Sequence, residues 1–114
     1  MNVHHTIDYV EFTVEDVAEA KTFYTAAFGW SFNDYGPDYV GIVGRGGEVG
    51  GLTKGEARPG GPLVIVYSDD LDATLTGLRA AGATITQEPY PFPGGRRFHF
   101  ADPSGNESAV WARR

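Results

Sequence analysis

Alternation of apolar and polar residues along the chain predicts a series of short β-strands. The stretch IDYVEFTV at residues 7–14 places Val10, Phe12 and Val14 on one face, because successive side chains of a strand point to opposite faces. Tyr9 and Glu11 share the other face. Further strands are predicted at WSFND, YVGIV, EVGGLT, PLVIVY, ATITQE, RRFHFA and ESAVWA, separated by breaks rich in Gly and Pro. The first strand therefore presents a phenol and a carboxylate side by side.

Two stretches with helical spacing interrupt these strands. In the first, Asp16 is a suitable N-cap and Gly29 is placed to end the helix. In the second, Asp69 or Asp70 caps the helix and Gly82 ends it. The apolar stripes are Val17, Ala20, Tyr24 and Ala27 in the first helix, and Leu71, Leu75 and Leu78 in the second.

The two halves of the chain repeat one order of elements, a strand, a helix and three strands. Shifting Asp16 by the distance between Gly29 and Gly82 places it on Asp69. We therefore predict a single α+β domain over residues 1–114, built from two βαβββ modules at about residues 1–55 and 61–114. The KGEARPGGP stretch at 54–62 is the predicted hinge between them.

The amino-acid composition of the chain argues against several classes of binding partner and site. A formal net charge of −6 argues against non-specific nucleic-acid binding; the acidity serves solubility or steers a cationic ligand. The chain has no cysteine, which excludes disulfides and thiolate metal sites. The longest apolar run, LVIV, is far too short to span a membrane, and the N-terminus shows no secretory signal. We expect a cytoplasmic protein with no nucleic-acid or membrane partner.

Four stretches together resemble the vicinal oxygen chelate superfamily, which includes glyoxalase I, bleomycin-resistance proteins and extradiol dioxygenases. They are VEFTVEDVAEAKTFYTAAFGW at 10–30, GGL at 50–52, SDDLDATLTGLRAAGA at 68–83 and FHFADPSGNESAVW at 98–111. The resemblance covers nearly the whole chain. It implies two βαβββ modules that form a curled, incompletely closed mixed β-sheet barrel, with helices on the outer face, a ligand cleft on the inner face and usually a homodimer.

The resemblance also implies where a metal would bind. Enzymes of this superfamily hold a divalent metal through His and Glu side chains on the first and last strands of each module. The four matching positions here are Tyr9, Gly51, Leu63 (Pro62 by the plain repeat offset) and Ala109. None carries an imidazole or carboxylate, so we expect no cofactor and no divalent metal at the usual site.

Carboxylates and an imidazole elsewhere leave other chemistry open. Glu11 and Glu107 lie one inward step from metal positions, and His99 lies on the preceding strand. The three would suit a relocated metal. The two carboxylates would equally suit an amine or guanidinium, or would satisfy backbone donors or Arg97.

Aromatic residues indicate a small-molecule pocket. Tyr67 and Trp111 fall on the inward side of their strands, and Tyr90 and Phe92 lie in PYPFPGG, predicted as a loop that covers the cleft. Aromatic walls with a few polar groups are typical of such pockets, although any single ring would also serve to fill the core. The predicted ligand-binding set is Tyr9, Glu11, Tyr67, Phe92, His99, Glu107 and Trp111.

Two functional hypotheses follow. The first is a metal-free small-molecule binding protein, drug- or antibiotic-sequestering, that holds a planar or cationic compound. The second is an enzyme: a glyoxalase-like lyase or isomerase with Glu11 as general base and Tyr9 or His99 as acid partner, or a dioxygenase-related enzyme with a relocated metal. A regulatory or assembly partner without a ligand is a third. The loss of all four metal positions favours binding, because metal stabilisation of an oxyanion is difficult to replace.

Overall fold

The computed structural model describes residues 2–57 and 59–114. In these residues eight strands and two helices follow the predicted order. They are β1 (Ile7–Val14), α1 (Val17–Phe28), β2 (Phe32–Asp34), β3 (Tyr39–Gly44), β4 (Gly47–Lys54), β5 (Leu63–Tyr67), α2 (Leu71–Ala80), β6 (Thr84–Phe92), β7 (Gly95–Ala101) and β8 (Glu107–Ala112). The α+β class and the two βαβββ modules are confirmed. Neither helix in the described ranges is long and apolar enough to cross a membrane.

The described residues divide into two compact units. Residues 9–62 form the first unit, and residues 2–8 with 63–114 form the second. The boundary therefore falls inside β1, after Asp8. The predicted hinge at 54–62 runs from the end of β4 to the start of β5, and one of its residues, Arg58, lies outside the described part of the chain.

The first unit is a four-stranded sheet with α1 against one side. Its strand order is β2-β3-β4-β1, with β1 parallel to β4 and the other pairs antiparallel. Phe12 and Val14, both half-buried, pack against the buried residues Val17, Val40 and Leu52, as the alternation in β1 predicts, whereas Val10 does not belong to this cluster. The opposite side of this sheet carries Tyr9 and Glu11, and we call it the first-unit face.

Local polar contacts fix both ends of α1, as the sequence predicts. The Asp16 side chain accepts a hydrogen bond from the Glu19 N–H at 2.9 Å, which satisfies a donor in the first turn. Gly29 adopts a left-handed φ of 73° at the C-terminal end. Its N–H donates to the Thr25 carbonyl at 2.8 Å, and glycine is favoured there because it has no Cβ to oppose that conformation.

The second unit is built in the same way around α2. Its strand order is β5-β8-β7-β6, with β5 and β8 parallel and the remaining pairs antiparallel. Leu71 at the start of α2 packs with Phe98 and Val110 in a buried cluster, and Leu75 and Leu78 extend that contact. The opposite side of the sheet, which carries Tyr67, Arg97, His99, Ala109 and Trp111, is called the second-unit face.

The structure distinguishes the two aspartates proposed to cap α2. Asp70 is the N-cap, and its side chain accepts from the Ala73 N–H at 3.1 Å. Asp69 instead holds the N-terminal segment: its N–H donates to His4 Nδ1 at 2.8 Å. The helix ends at Ala80, with Ala81 as its C-cap, and the left-handed Gly82 follows.

The prediction that PYPFPGG forms a loop was wrong for most of its length. β6 continues to Phe92, and its last residues pair with β7, with Tyr90 opposite Arg97 and Phe92 opposite Gly95. The two prolines are tolerated because β6 is at the edge of the second unit's strand order, where a missing N–H need not break the ladder. Tyr90 and Phe92 are therefore held by a strand.

The DPSGN stretch forms a tight turn between β7 and β8. The Asp102 carboxylate accepts hydrogen bonds from the side chain and backbone N–H of Asn106 and from the backbone N–H of Ser104, each at 2.9 Å. These donors, the Asn106 side chain foremost, lower the pKa of Asp102. The motif is thus explained by turn chemistry.

Candidate functional site

A chain of three hydrogen-bonded side chains lies on the first-unit face. The hydroxyls of Tyr9 and Tyr39 are 2.7 Å apart, and the Tyr39 hydroxyl donates to Glu11 Oε2 at 2.9 Å. Because the Tyr39 O–H donates to the carboxylate, the Tyr9 hydroxyl must be the donor of the hydrogen bond to the Tyr39 oxygen. Glu11 is only 6% exposed. The burial of its charge is therefore offset by the phenol that donates to it.

Two glycines make room for these side chains. A methyl group at Gly51 would overlap the Tyr39 hydroxyl and lie 2.7 Å from the Tyr9 hydroxyl. A methyl group at Gly41, which is opposite Gly51 in the neighbouring strand, would overlap the carboxylate of Glu48. The phenols and this second carboxylate thus occupy the space that larger residues at these two positions would fill.

Glu48 adds a half-buried acidic group to the same face. Its Oε2 accepts from Asn33 Nδ2 at 3.0 Å and from the hydroxyl of Tyr35. Tyr35 and Tyr39 are neighbours, with ring centroids 6.3 Å apart. The first-unit face therefore combines three phenol rings with two carboxylates.

The buried phenols are held in their protonated form. Burial raises the pKa of Tyr9 from 10.0 to about 12. Burial, followed by the negative charge of Glu11, raises the pKa of Tyr39 as well. The hydrogen bond to Glu48 raises the pKa of the exposed Tyr35. Neutral phenols are hydrogen-bonding groups and poor metal ligands.

The raised pKa values predict a loss of stability at high pH. The pKa of Tyr9 is higher in the folded protein, about 12, than its ordinary value of 10.0. The stability that this difference contributes is fully present below pH 10.0 and is lost as the pH rises towards about 12. We expect the free energy of unfolding to fall over this range, and to fall less steeply in Tyr9→Phe than in the control Tyr24→Phe. Urea unfolding at a series of pH values measures both slopes, and equal slopes would contradict the assignment.

Aromatic residues dominate one part of the second-unit face. The rings of Tyr67 and Trp111 meet edge to face at 5.1 Å, and Phe92 lies 6.0 Å from Trp111. Asp8 accepts a hydrogen bond from the indole N–H of Trp111 at 3.0 Å, and the guanidinium of Arg113 lies 5.6 Å from that ring. This aromatic wall is fixed by polar contacts at its edge.

A polar network lies on the same face. Arg97 Nε donates to the Tyr90 hydroxyl oxygen at 2.5 Å, and that oxygen is 3.0 Å from His99 Nε2. His99 Nδ1 is 3.6 Å from Glu107 Oε2, which also accepts from the Thr86 hydroxyl at 2.9 Å. Charged and neutral groups therefore alternate across three strands of the second unit.

The residues at the usual metal positions do not fit a metal ion. The Tyr9 hydroxyl is hydrogen-bonded to that of Tyr39, and the two hydroxyls fill the space beside Gly51. Leu63 and Ala109 are buried without a side-chain donor. In residues 2–57 and 59–114 no group of three or more His, Asp or Glu side chains is arranged to hold a metal, and the relocated set of Glu11, Glu107 and His99 forms no such group.

The predicted ligand-binding residues fall into two sets. Tyr9 and Glu11 lie on the first-unit face, and Tyr67, Phe92, His99, Glu107 and Trp111 belong to the second unit. Their role in binding a ligand stays a prediction, as does that of Glu11 as a general base.

The sequence did not predict Tyr39, Glu48 or Asp8 as residues of the candidate site. Tyr39 is two residues before Gly41 in the strand YVGIV, so the two residues lie on the same face of that strand. This spacing would have placed Tyr39 beside the GGL stretch only if the pairing of the two strands had been known. Glu48 gave no such signal, because the strand register shifts between Ile42 and Val43.

Comparison with known proteins identifies relatives over most of the chain. A model of the Glyoxalase/Bleomycin resistance protein/Dioxygenase superfamily matches residues 6–110. The chain is 31% identical to the anthracycline biosynthesis protein DnrV of Streptomyces peucetius, with 86% of this chain and 43% of that protein covered. The protein DauV of Streptomyces sp. strain C5, also an anthracycline biosynthesis protein, matches with the same identity and coverage. This chain therefore spans less than half the length of these curated relatives.

Solved structures share the fold at lower identity. The Mn(II)-bound glyoxalase of Novosphingobium aromaticivorans matches with a TM-score of 0.72 and 24% identity over 99% of this chain and 40% of that one. A Legionella pneumophila structure described as an NAD-dependent benzaldehyde dehydrogenase matches with a TM-score of 0.75 and 19% identity, over 91% of this chain and 96% of that one. At this level of identity the likeness concerns the fold alone.

Proposed function

The chain belongs to the Glyoxalase/Bleomycin resistance protein/Dioxygenase superfamily, and from that premise we propose that it binds a small molecule without a metal. The observation that carries the proposal is the Tyr9–Tyr39–Glu11 chain above Gly51. Neutral phenols fill the space where a metal-ligating side chain would stand. They also leave aromatic surface and hydrogen-bonding oxygens on the first-unit face, the usual components of a binding site.

The chemistry of this face favours a flat ligand that carries a positive charge. Phenol rings bind flat aromatic compounds and attract cations over their faces. The half-buried carboxylate of Glu48 adds a direct partner for an ammonium group. The net charge of −6 favours the approach of a cation. The Streptomyces relatives take part in anthracycline biosynthesis by name, so we propose an anthracycline-like ligand.

Calorimetric titration with daunorubicin, a flat tetracyclic anthracycline with a protonated amine, tests this proposal. We expect saturable binding that is weakened about fivefold in Glu48→Gln, because a partly exposed charge pair contributes about 1 kcal/mol. The matched control is Glu19→Gln, which makes the same charge change on α1, on the other side of the first unit's sheet. Absence of binding to the parent protein would refute the proposal for this ligand class, and equal losses in the two variants would refute the role of Glu48.

The alternative, a lyase or isomerase with Glu11 as general base, receives less support. A general base must be within reach of the proton that it takes from the substrate. Glu11 is only 6% exposed, and its Oε2 accepts a hydrogen bond from the Tyr39 hydroxyl, so a substrate has little access to this carboxylate. A dioxygenase-related activity would need a metal site that the described residues do not form.

Two further parts of the proposal concern assembly and location. We propose that the protein acts in the cytoplasm and that it is a homodimer, the assembly that the family resemblance implies. Light scattering coupled to gel filtration would measure the mass in solution.

A further inference from the structure

The polar network on the second-unit face is not needed for the proposed binding function and has the form of a proton relay. Tyr90, His99 and Glu107 come from three neighbouring strands, β6, β7 and β8. The Tyr90 oxygen is 3.0 Å from His99 Nε2, and His99 Nδ1 is 3.6 Å from Glu107 Oε2. A hydroxyl, an imidazole and a carboxylate in this order are the arrangement that activates a nucleophile in acyl-transfer enzymes.

Arg97 determines what the phenol oxygen can do. A guanidinium can only donate, so the Tyr90 oxygen accepts the Arg97 Nε–H at 2.5 Å, and its own proton is then directed at His99 Nε2. The Arg97 charge also lies beside this oxygen, with the guanidinium carbon 5.7 Å from the centre of the Tyr90 ring. Positive charge there favours the negative charge that the oxygen carries once its proton has moved to His99, before the bond to the acyl carbon forms.

The rest of the network orients the imidazole. His99 is 9% exposed, so the ring is held by its surroundings. Glu107 accepts from the Thr86 hydroxyl at 2.9 Å, which fixes the carboxylate on the side of His99 Nδ1. The carboxylate charge stabilises an imidazolium that forms when His99 takes the Tyr90 proton.

A surface for an aromatic substrate adjoins the relay. Trp111 is opposite Arg97 in the strand register, and Phe92 lies near it; both rings are half-buried. Tyr67, which is only 6% exposed, packs edge to face against Trp111 and supports that ring. Flat apolar groups bind to such rings. The substrate class that suits a phenol nucleophile beside an aromatic wall is an activated aryl ester.

We propose that Tyr90 is the nucleophile of an acyl-transfer site on the second unit, with His99 as its base. The Tyr90 oxygen bonds to the acyl carbon while the bond from that carbon to the leaving aryl oxygen breaks. The Tyr90 proton passes to His99 Nε2 and then to the departing aryl oxide, which leaves as a phenol. Transfer of the acyl group to water regenerates Tyr90. Glu107 and Arg97 are the positioning and charge-stabilising residues.

The experiment uses 4-nitrophenyl acetate as the probe and the whole protein. Tyr90 is the only tyrosine between Arg79 and Arg96, so trypsin releases it in a peptide whose fragmentation distinguishes acetylation of Tyr90 from that of Thr84 or Thr86. We expect a burst of nitrophenol release and acetylation of Tyr90 about tenfold faster than that of the more exposed Tyr35. An acetylation rate at Tyr90 no higher than at Tyr35 would overturn the proposal.

Variants separate the relay from general surface reactivity. Tyr90→Phe, which removes a single hydroxyl, should abolish the burst, whereas Tyr24→Phe on α1 should keep it.

His99→Ala should slow the burst about tenfold, and added imidazole should restore the rate, which it would not do if His99 were only structural. A full burst in Tyr90→Phe, or a folded His99→Ala that acetylates Tyr90 at the parent rate, would overturn the proposal. Circular dichroism checks the fold, and if His99→Ala does not fold, the Tyr90→Phe result decides. Daunorubicin binding is measured separately, so either proposal can fail alone.

Discussion

Phe98→Ala is expected to lower the free energy of unfolding by about 3–5 kcal/mol. Phe98 is 0% exposed and lies in the buried cluster with Leu71, Val110 and Ala112 that joins α2 to its sheet. Removal of the ring loses its transfer free energy and leaves a cavity that its neighbours cannot fill. Because domains of this size are stable by about 5–15 kcal/mol in total, this one change would remove a large share of the stability.

Urea denaturation followed by circular dichroism measures this loss. The matched control is Phe23→Ala on α1, where the ring is 60% exposed, and where alanine is itself a good helix former. We expect the control to change the free energy of unfolding by less than about 1 kcal/mol. Similar losses in the two variants would show that the core of the second unit is not where the structure has it.

Gly51→Ala is expected to reduce daunorubicin affinity by about tenfold or more, which corresponds to at least about 1.4 kcal/mol. The added methyl group would overlap the Tyr39 hydroxyl and crowd that of Tyr9. Both phenols would have to move, and the hydrogen bond from Tyr39 to Glu11 would be lost. The atoms that must move are the ends of side chains, so we expect the unit to stay folded.

Two other glycines provide the comparison for Gly51→Ala. A methyl group at Gly46 meets nothing within 4 Å, so Gly46→Ala should bind daunorubicin as the parent does. A methyl group at Gly50 would overlap the backbone carbonyl of Val10, so Gly50→Ala should lose stability. Parent-like affinity in a folded Gly51→Ala would contradict the role of the phenol pair.

Local sequence signals predicted most of the fold. The ends of α1 follow from Asp16 and Gly29 because capping depends on the backbone within a few residues. The two faces of β1 follow from its alternation, and Phe12 packs against the core as predicted. The end of β6 was missed because prolines break strands in most positions, and only the strand order shows that β6 is an edge.

The candidate site depended on information that is not local. Tyr9 and Glu11 were visible because they share a strand, but Tyr39 reaches them from β3, and its place follows from the register that puts Gly41 opposite Gly51. Glu48 would face the helix if β4 alternated regularly from Gly51. The strand register shifts between Ile42 and Val43, and after this shift the Glu48 side chain lies on the first-unit face, beside Gly41.

Daunorubicin titration of metal-stripped protein tests the central claim most directly. The protein is treated with a chelator, dialysed and titrated by calorimetry, first alone and then with added Mn(II). Because neutral phenols fill the space beside Gly51, we predict the same affinity in both titrations, and a loss of affinity in Gly51→Ala in both. Binding that appears only with Mn(II) would contradict the account and would show that the chain binds its ligand through a metal, as its family's enzymes do.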